Sequence, residues 1–208
     1  KYEKSLFMLV AELPKRDVGF CTAFAVNSLG SLVTNAHCAR VIHDYTAQGV
    51  RLVARMNRAP TKTYQVIRWQ GHKKYDNTVF SPDVALLTID LKGDMLPSVT
   101  TLANDDKLRK IRPGQAIYTM GFPGKVMNEE KPAADFRAAV VSRLTDYGNR
   151  AAPIEATKLV WHSALTSKGT SGSPIFDAEG DVIAVNNGSL SARKITSTDS
   201  SGATTTTT

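Results

Sequence analysis

The sequence predicts an all-β fold of two packed six-stranded antiparallel β-barrels. Three observations predict it. Short apolar runs alternate with Gly/Pro/Asn/Asp turn signals along most of the chain. The runs fall into two groups of roughly six, joined near residues 95–115. A hydrophobic content of 42% with 22% charged residues is that of an ordinary soluble globular chain, and 208 residues suffice for a sizeable core.

Taken in order, the first group of strands comprises SLFMLVAEL (5–13), FCTAFAVNS (20–28), SLVTNA (31–36), VRLVARM (50–56), TYQVIRW (63–69) and VALLTI (84–89). One helix is expected from His37 to about Tyr45. The second group reads QAIYTMGF (115–122), FRAAVVSRL (136–144), TKLVWHSA (157–164), SPIFDA (173–178) and DVIAVNN (181–187), the last two flanking the hairpin signal Glu179-Gly180. Asn104 is placed to cap a short helical turn. This gives an N-terminal unit over 1–105, a C-terminal unit over 106–195, and a Ser/Thr-rich tail over 196–208 with almost nothing to bury, expected as a disordered linker, with a terminal β-edge as the alternative.

No run of roughly 18 apolar residues exists to span a bilayer. The chain opens on Lys1 without a signal-type segment, as expected of a processed or excised fragment. The net charge of +7 is spread over scattered basic residues without interleaved aromatics, which reads as solvated surface rather than a nucleic-acid site. Cys21 and Cys38 lack zinc-ligand spacing and leave two alternatives, a disulfide or two buried thiols.

The stretch GTSGSP (169–174) sets Ser171 between two glycines. Glycine permits backbone conformations that would let a substrate carbonyl approach main-chain N–H groups, although an ordinary tight turn has the same composition. A serine nucleophile needs a base, and the base an acid that fixes its tautomer. His37 lies at the end of an apolar strand and the start of the expected helix. Asp83 immediately precedes an apolar strand, at a core edge where an acid is costly without a partner. His43 reads as helix surface and His72 as loop surface. His162, on a strand approaching Ser171, reads as a satisfied structural histidine or as a border of the substrate pocket.

In the order His37, Asp83, Ser171, the blocks VTNAHC, DVALLTI and GTSGSP resemble the three catalytic blocks of trypsin/chymotrypsin-fold serine proteases. The passages LANDDKLRKIRPGQAIYTMGFPG (102–124) and GDVIAVNNG (180–188) are similar to the HtrA-like (Deg) branch. The resemblance spans about residues 5–190. It implies a serine endopeptidase with its active site in the cleft between the barrels and no cofactor or metal. Ser171 would be the nucleophile, His37 the general base and Asp83 its orienting acid, with the N–H groups of Gly169 and Ser171 as oxyanion hole.

By position, Leu165, Thr166 and Ser167 would line one wall of the substrate pocket, and Val185, Asn186, Asn187 and Gly188 the other. With no carboxylate among them, a small or medium apolar side chain is expected there. The resemblance further implies polypeptide substrates, a longer protein carrying a binding module such as a PDZ domain, and homo-oligomers. Leu6 and Phe7 are candidates for that contact or for core. The placement of Cys21 and Cys38 resembles the disulfide beside the catalytic histidine of secreted enzymes, implying a periplasmic or secreted protein. The loop 124–136 is a candidate lid or a plain surface loop. One departure stands out: Thr170 occupies the place where HtrA-like enzymes usually carry Asn. A stiff β-branched residue there raises the alternative of a latent or silent trypsin-fold binding protein.

Overall fold

The computed structural model describes residues 2–59, 61–124 and 128–188, together with the backbone of 195–198 and 204–207. The first unit is a closed barrel of six antiparallel strands in the order β1-β2-β3-β6-β5-β4. These are β1 (Leu6–Glu12), β2 (Asp17–Ala25), β3 (Ser31–Thr34), β4 (Arg51–Met56), β5 (Thr63–Gly71) and β6 (Ala85–Ile89). Helix α1 (Ala36–Ala47) follows β3, as expected. Short polar-flanked runs such as ALLTI alternate buried and half-exposed positions, and the inward set fills the barrel.

β1 breaks that alternation, because Leu6 through Ala11 are all buried. Phe7, Leu9 and Ala11 join the barrel core, whereas Leu6, Met8 and Val10 join Phe122, Phe176 and Val182 of the second unit. A strand buried on both faces must read as a continuous apolar run, and LFMLVA does. Leu6 and Phe7 are therefore core, with no exposed surface to offer a partner.

The second unit is a six-stranded sheet in the order β10-β9-β8-β11-β12-β7. Its strands are β7 (Thr101–Leu102), β8 (Ala116–Gly121), β9 (Asp135–Thr145), β10 (Leu159–His162), β11 (Pro174–Phe176) and β12 (Asp181–Val185). The expected second six-stranded β unit is present, with two particulars of its own. β7 runs parallel to β12, and among the described residues its outer edge and that of β10 do not pair. A cavity of about 620 Å³ is walled by residues of both β10 and β12. β7 also lies before residue 105, so the second sheet takes a strand from the segment assigned to the first unit. Between the units, helix α2 (Asp105–Leu108) is capped by Asn104, whose side chain accepts from the Lys107 N–H at 3.0 Å.

The tail departs from the expected disorder where it is described. Strands β13 (Ile195–Thr198) and β14 (Thr204–Thr207) pair antiparallel. Threonine is β-branched and favours extended backbone even where little can be buried. Residues 199–203 and 208 of the tail, and 125–127 of the 124–136 loop, lie outside the described residues. No helix among those described is long and apolar enough to cross a membrane.

Candidate active site

The acid and base are locked together at the start of α1. His37 is the second residue of that helix, where backbone N–H groups have no intrahelical acceptor. Asp83 supplies one: its Oδ1 accepts from the His37 backbone N–H at 3.0 Å, and its Oδ2 lies 2.7 Å from His37 Nδ1. A carboxylate can only accept, so Nδ1 carries the proton and Nε2 is left with its lone pair free. The Asp83 side chain is 4% exposed and that of His37 31%, which leaves the imidazole reachable from the cleft.

Asn35 explains how Asp83 stays in place. It is the N-cap residue of α1, yet its side chain makes no capping bond. Instead Asn35 Nδ2 donates to the Asp83 carbonyl at 2.7 Å, and Asp83 takes over the helix end. Sequence reasoning missed Asn35; its only signal is a polar residue between an apolar strand and a helix, which is also what an ordinary cap looks like.

The Ser171 turn belongs to the second unit and is fastened to the first through Thr22 of β2. The Thr22 N–H donates to Ser171 O at 2.8 Å and its hydroxyl donates to Gly169 O at 2.9 Å. That hydroxyl also accepts from the Phe122 N–H at 3.1 Å, while Thr22 O accepts from the Thr34 hydroxyl at 2.7 Å. The neighbouring Cys21 is disulfide-bonded to Cys38, the residue after His37. The Ser171 turn and the helix of His37 are thus anchored to consecutive residues of one strand. Sequence reasoning missed Thr22; its only signal is a polar residue inside FCTAF.

Both glycines of the turn are dictated by close approach. Gly169 has φ +95°, and a Cβ there would stand 2.2 Å from the Phe122 carbonyl oxygen. At Gly172, with φ +84°, a Cβ would meet Thr22 O at 2.0 Å. Among the described residues, neither the Gly169 N–H nor the Ser171 N–H donates to a protein acceptor. Their directions are nevertheless fixed, because a planar trans peptide sets its N–H opposite the preceding carbonyl. Lys168 O accepts from the Gly124 N–H at 2.8 Å, which aims the Gly169 N–H. Thr170 O accepts from Asn186 Nδ2 at 2.9 Å and from the Ser173 N–H at 3.1 Å, which aims the Ser171 N–H.

Thr170 itself is 7% exposed. Its hydroxyl donates to Ser167 O at 2.7 Å and accepts from the Ser167 N–H at 3.2 Å. The β-branched side chain therefore braces the turn from behind and leaves both candidate oxyanion donors unengaged. Ser171 is half-buried, and its Oγ makes no hydrogen bond among the described residues, so Oγ and His37 Nε2 are not joined.

The cavity beside this turn takes Thr166, Val185, Asn186, Asn187 and Gly188 among its walls, and Asp83 at its rim. Leu165 and Ser167 stand outside it, a correction to the expected pocket. Leu165 is 78% exposed and its carbonyl is drawn outward to Arg137, while the backbone N–H and C=O of Ser167 are turned to Thr170. The loop before Asp83 closes over from the first unit: Asn187 Nδ2 donates to Val79 O at 3.4 Å, and the Phe80 and Trp161 rings lie 6.5 Å apart. His162 is a satisfied histidine, with each ring nitrogen engaged, and it lines this cavity. Cys21, His37 and Cys38 also form a cluster of potential metal ligands, but both sulfurs are spent in the disulfide and Nδ1 is held by Asp83.

Residues 21–185, which contain His37, Asp83 and Ser171, match the family model of the trypsin-like peptidase domain. This chain belongs to that family. The crystal structure of Deg5 is similar to it with a TM-score of 0.61 and 22% identity, covering 90% of this chain and 81% of that one. No curated protein sequence matches. In this trypsin-like peptidase domain, then, His37 and Asp83 come from the unit of the closed barrel, and the Ser171 turn comes from the unit of the second sheet.

Proposed function

We propose that this domain is the protease module of a serine endopeptidase of HtrA-like type, using His37, Asp83 and Ser171. The observation that carries the reading is the pair of aimed, unengaged N–H groups of Gly169 and Ser171 beside a base whose tautomer Asp83 fixes. The Ser171 Oγ attacks the scissile carbonyl as His37 Nε2 takes its proton, and the two N–H groups receive the charge that develops on the carbonyl oxygen. His37, now doubly protonated and stabilised by Asp83, passes the proton to the leaving amine. Water then hydrolyses the acyl-enzyme with His37 as base again.

Substrates are polypeptides with a small or medium apolar side chain before the cleaved bond. Homo-oligomers and a longer protein with a binding module follow the HtrA-like pattern. The Cys21–Cys38 bond supports an oxidising, periplasmic or secreted setting. One observation favours a second reading, a latent enzyme or silent binding protein: Ser171 Oγ is not hydrogen-bonded to His37 among the described residues. Such bonds often tighten only when substrate binds. Hydrolysis of an unfolded protein by the wild type but not by Ser171→Ala supports the endopeptidase. Equal turnover by both would reject it.

A further inference from the structure

The cavity wall and the oxyanion turn are connected by a chain of directed hydrogen bonds that starts at His162. The Ala164 N–H donates to His162 Nδ1 at 3.2 Å, so Nδ1 must be unprotonated. The remaining proton of a neutral imidazole is then on Nε2, which lies 3.2 Å from Asn186 Oδ1 and donates to it. That bond fixes which end of the Asn186 amide is oxygen. Nδ2 consequently points at Thr170 O, 2.9 Å away. Thr170 O belongs to the same peptide plane as the Ser171 N–H.

We infer that His162 is a positioning residue, which through Asn186 holds the Thr170–Ser171 peptide in the orientation that presents the Ser171 N–H to the oxyanion. The inference rests on the endopeptidase reading for its consequence in catalysis, but the relay itself is a property of the folded chain. Asn186 is 3% exposed, so water does not compete freely for its amide. A flipped amide would set Nδ2 against the Nε2–H and Oδ1 against Thr170 O, two repulsions in place of two bonds.

The relay works only with neutral His162. A second proton would sit on Nδ1 facing the Ala164 N–H, donor against donor. Burial holds the His162 pKa below its ordinary value, with the bond to Asn186 opposing that shift, which keeps the neutral form favoured. The charged groups around it come from several elements. Asp83 and Lys158 line the same cavity, and Arg143 on β9 lies over the adjoining Trp161 ring at 4.4 Å. None of these hydrogen-bonds to His162 among the described residues.

The test uses the full 208-residue chain. Imidazole 15N spectra near neutral pH are expected to show His162 with Nε2 protonated and Nδ1 bare; the opposite tautomer would overturn the relay. His162→Phe is expected to slow phosphonylation of Ser171 by a fluorophosphonate by about tenfold to a hundredfold, less than outright deletion of an oxyanion donor. It should lower kcat on a peptide ester while leaving KM within about threefold, and His162→Gln should recover most of the loss through its own N–H donor. A folded His162→Phe that labels at the wild-type rate, or that changes KM alone, would refute the inference. A wild type that never labels would sink the endopeptidase reading instead. In that case a Ser171 amide resonance that shifts in His162→Phe but not in His162→Gln upholds the relay, and an unmoved resonance overturns it.

Discussion

The two halves of this molecule hold their catalytic groups in different ways. The first is a barrel closed by hydrogen bonds all the way round, and it presents His37 and Asp83 from the junction of a strand and a helix. The second is a sheet that does not close among the described residues and whose β10 and β12 wall a cavity, and it presents Ser171 from a turn with two glycines of positive φ. In the closed half, position comes from packing of the barrel, to which Asp83 adds its bonds with Asn35 and His37. In the open half it comes from individually aimed hydrogen bonds, most of them ending on Thr22, Thr170 or Asn186. The difference shows why the nucleophile turn, not the base, is where conformational control can act: directed bonds are few and separable, whereas a packed core resists as a whole.

The sharpest test of the closed half is Asp83→Asn. Its amide offers Nδ2 as a donor where His37 Nδ1–H now donates, so the wrong tautomer is favoured. The expected loss in kcat is about 10⁴-fold with substrate binding little changed. A loss under about tenfold would mean that Asp83 only caps α1.

A comparison of packing comes next. Leu87, fully buried in the barrel core, should cost roughly 2–5 kcal/mol when truncated to alanine. Ile183 is 9% exposed beside the cavity, and its truncation should cost clearly less, because the open half can relax into space already present. Equal losses in urea unfolding would erase the contrast between the halves. Reduction of Cys21–Cys38 should then lower stability by about 2–4 kcal/mol, the usual value for such a bond. It should slow hydrolysis as well, since the bond ties the strand of Thr22 to the residue beside His37.

The smallest effect is that of pH on His162. Its pKa in the folded protein lies below the ordinary 6.5, so the unfolded chain binds the proton more readily. Stability from this residue is therefore complete above about pH 6.5 and declines as the pH falls toward the folded value. The melting temperature of His162→Gln should fall less than that of the wild type across this window. Parallel curves would show that burial of His162 is not felt in the free energy of folding.

The closed half was largely legible from sequence. Its runs have the length and alternation of strands, and each boundary falls near a Gly, Asn or Pro signal. The open half was legible in its strands but not in its closure. Strand counting cannot say whether β10, paired with β9, finds a second partner, and two-residue β7 exists only by virtue of its contact with β12. The tail was read from composition, which misses the β preference of threonine. At the site, His37, Asp83 and Ser171 were legible as candidates because their three blocks stand in the order of a known family. Thr22, Asn35 and the relay through Asn186 were not, because their roles depend on which carbonyl a side chain faces, and that is set by tertiary contact alone.

The central claim is that the serine turn, braced by Thr170, stands ready rather than collapsed. Treatment of the purified chain with a fluorophosphonate and mapping of the adduct by mass spectrometry tests this directly. The account predicts a single adduct on Ser171, abolished in Asp83→Asn and in Ser171→Ala. A folded wild-type protein that acquires no adduct at Ser171 would contradict it.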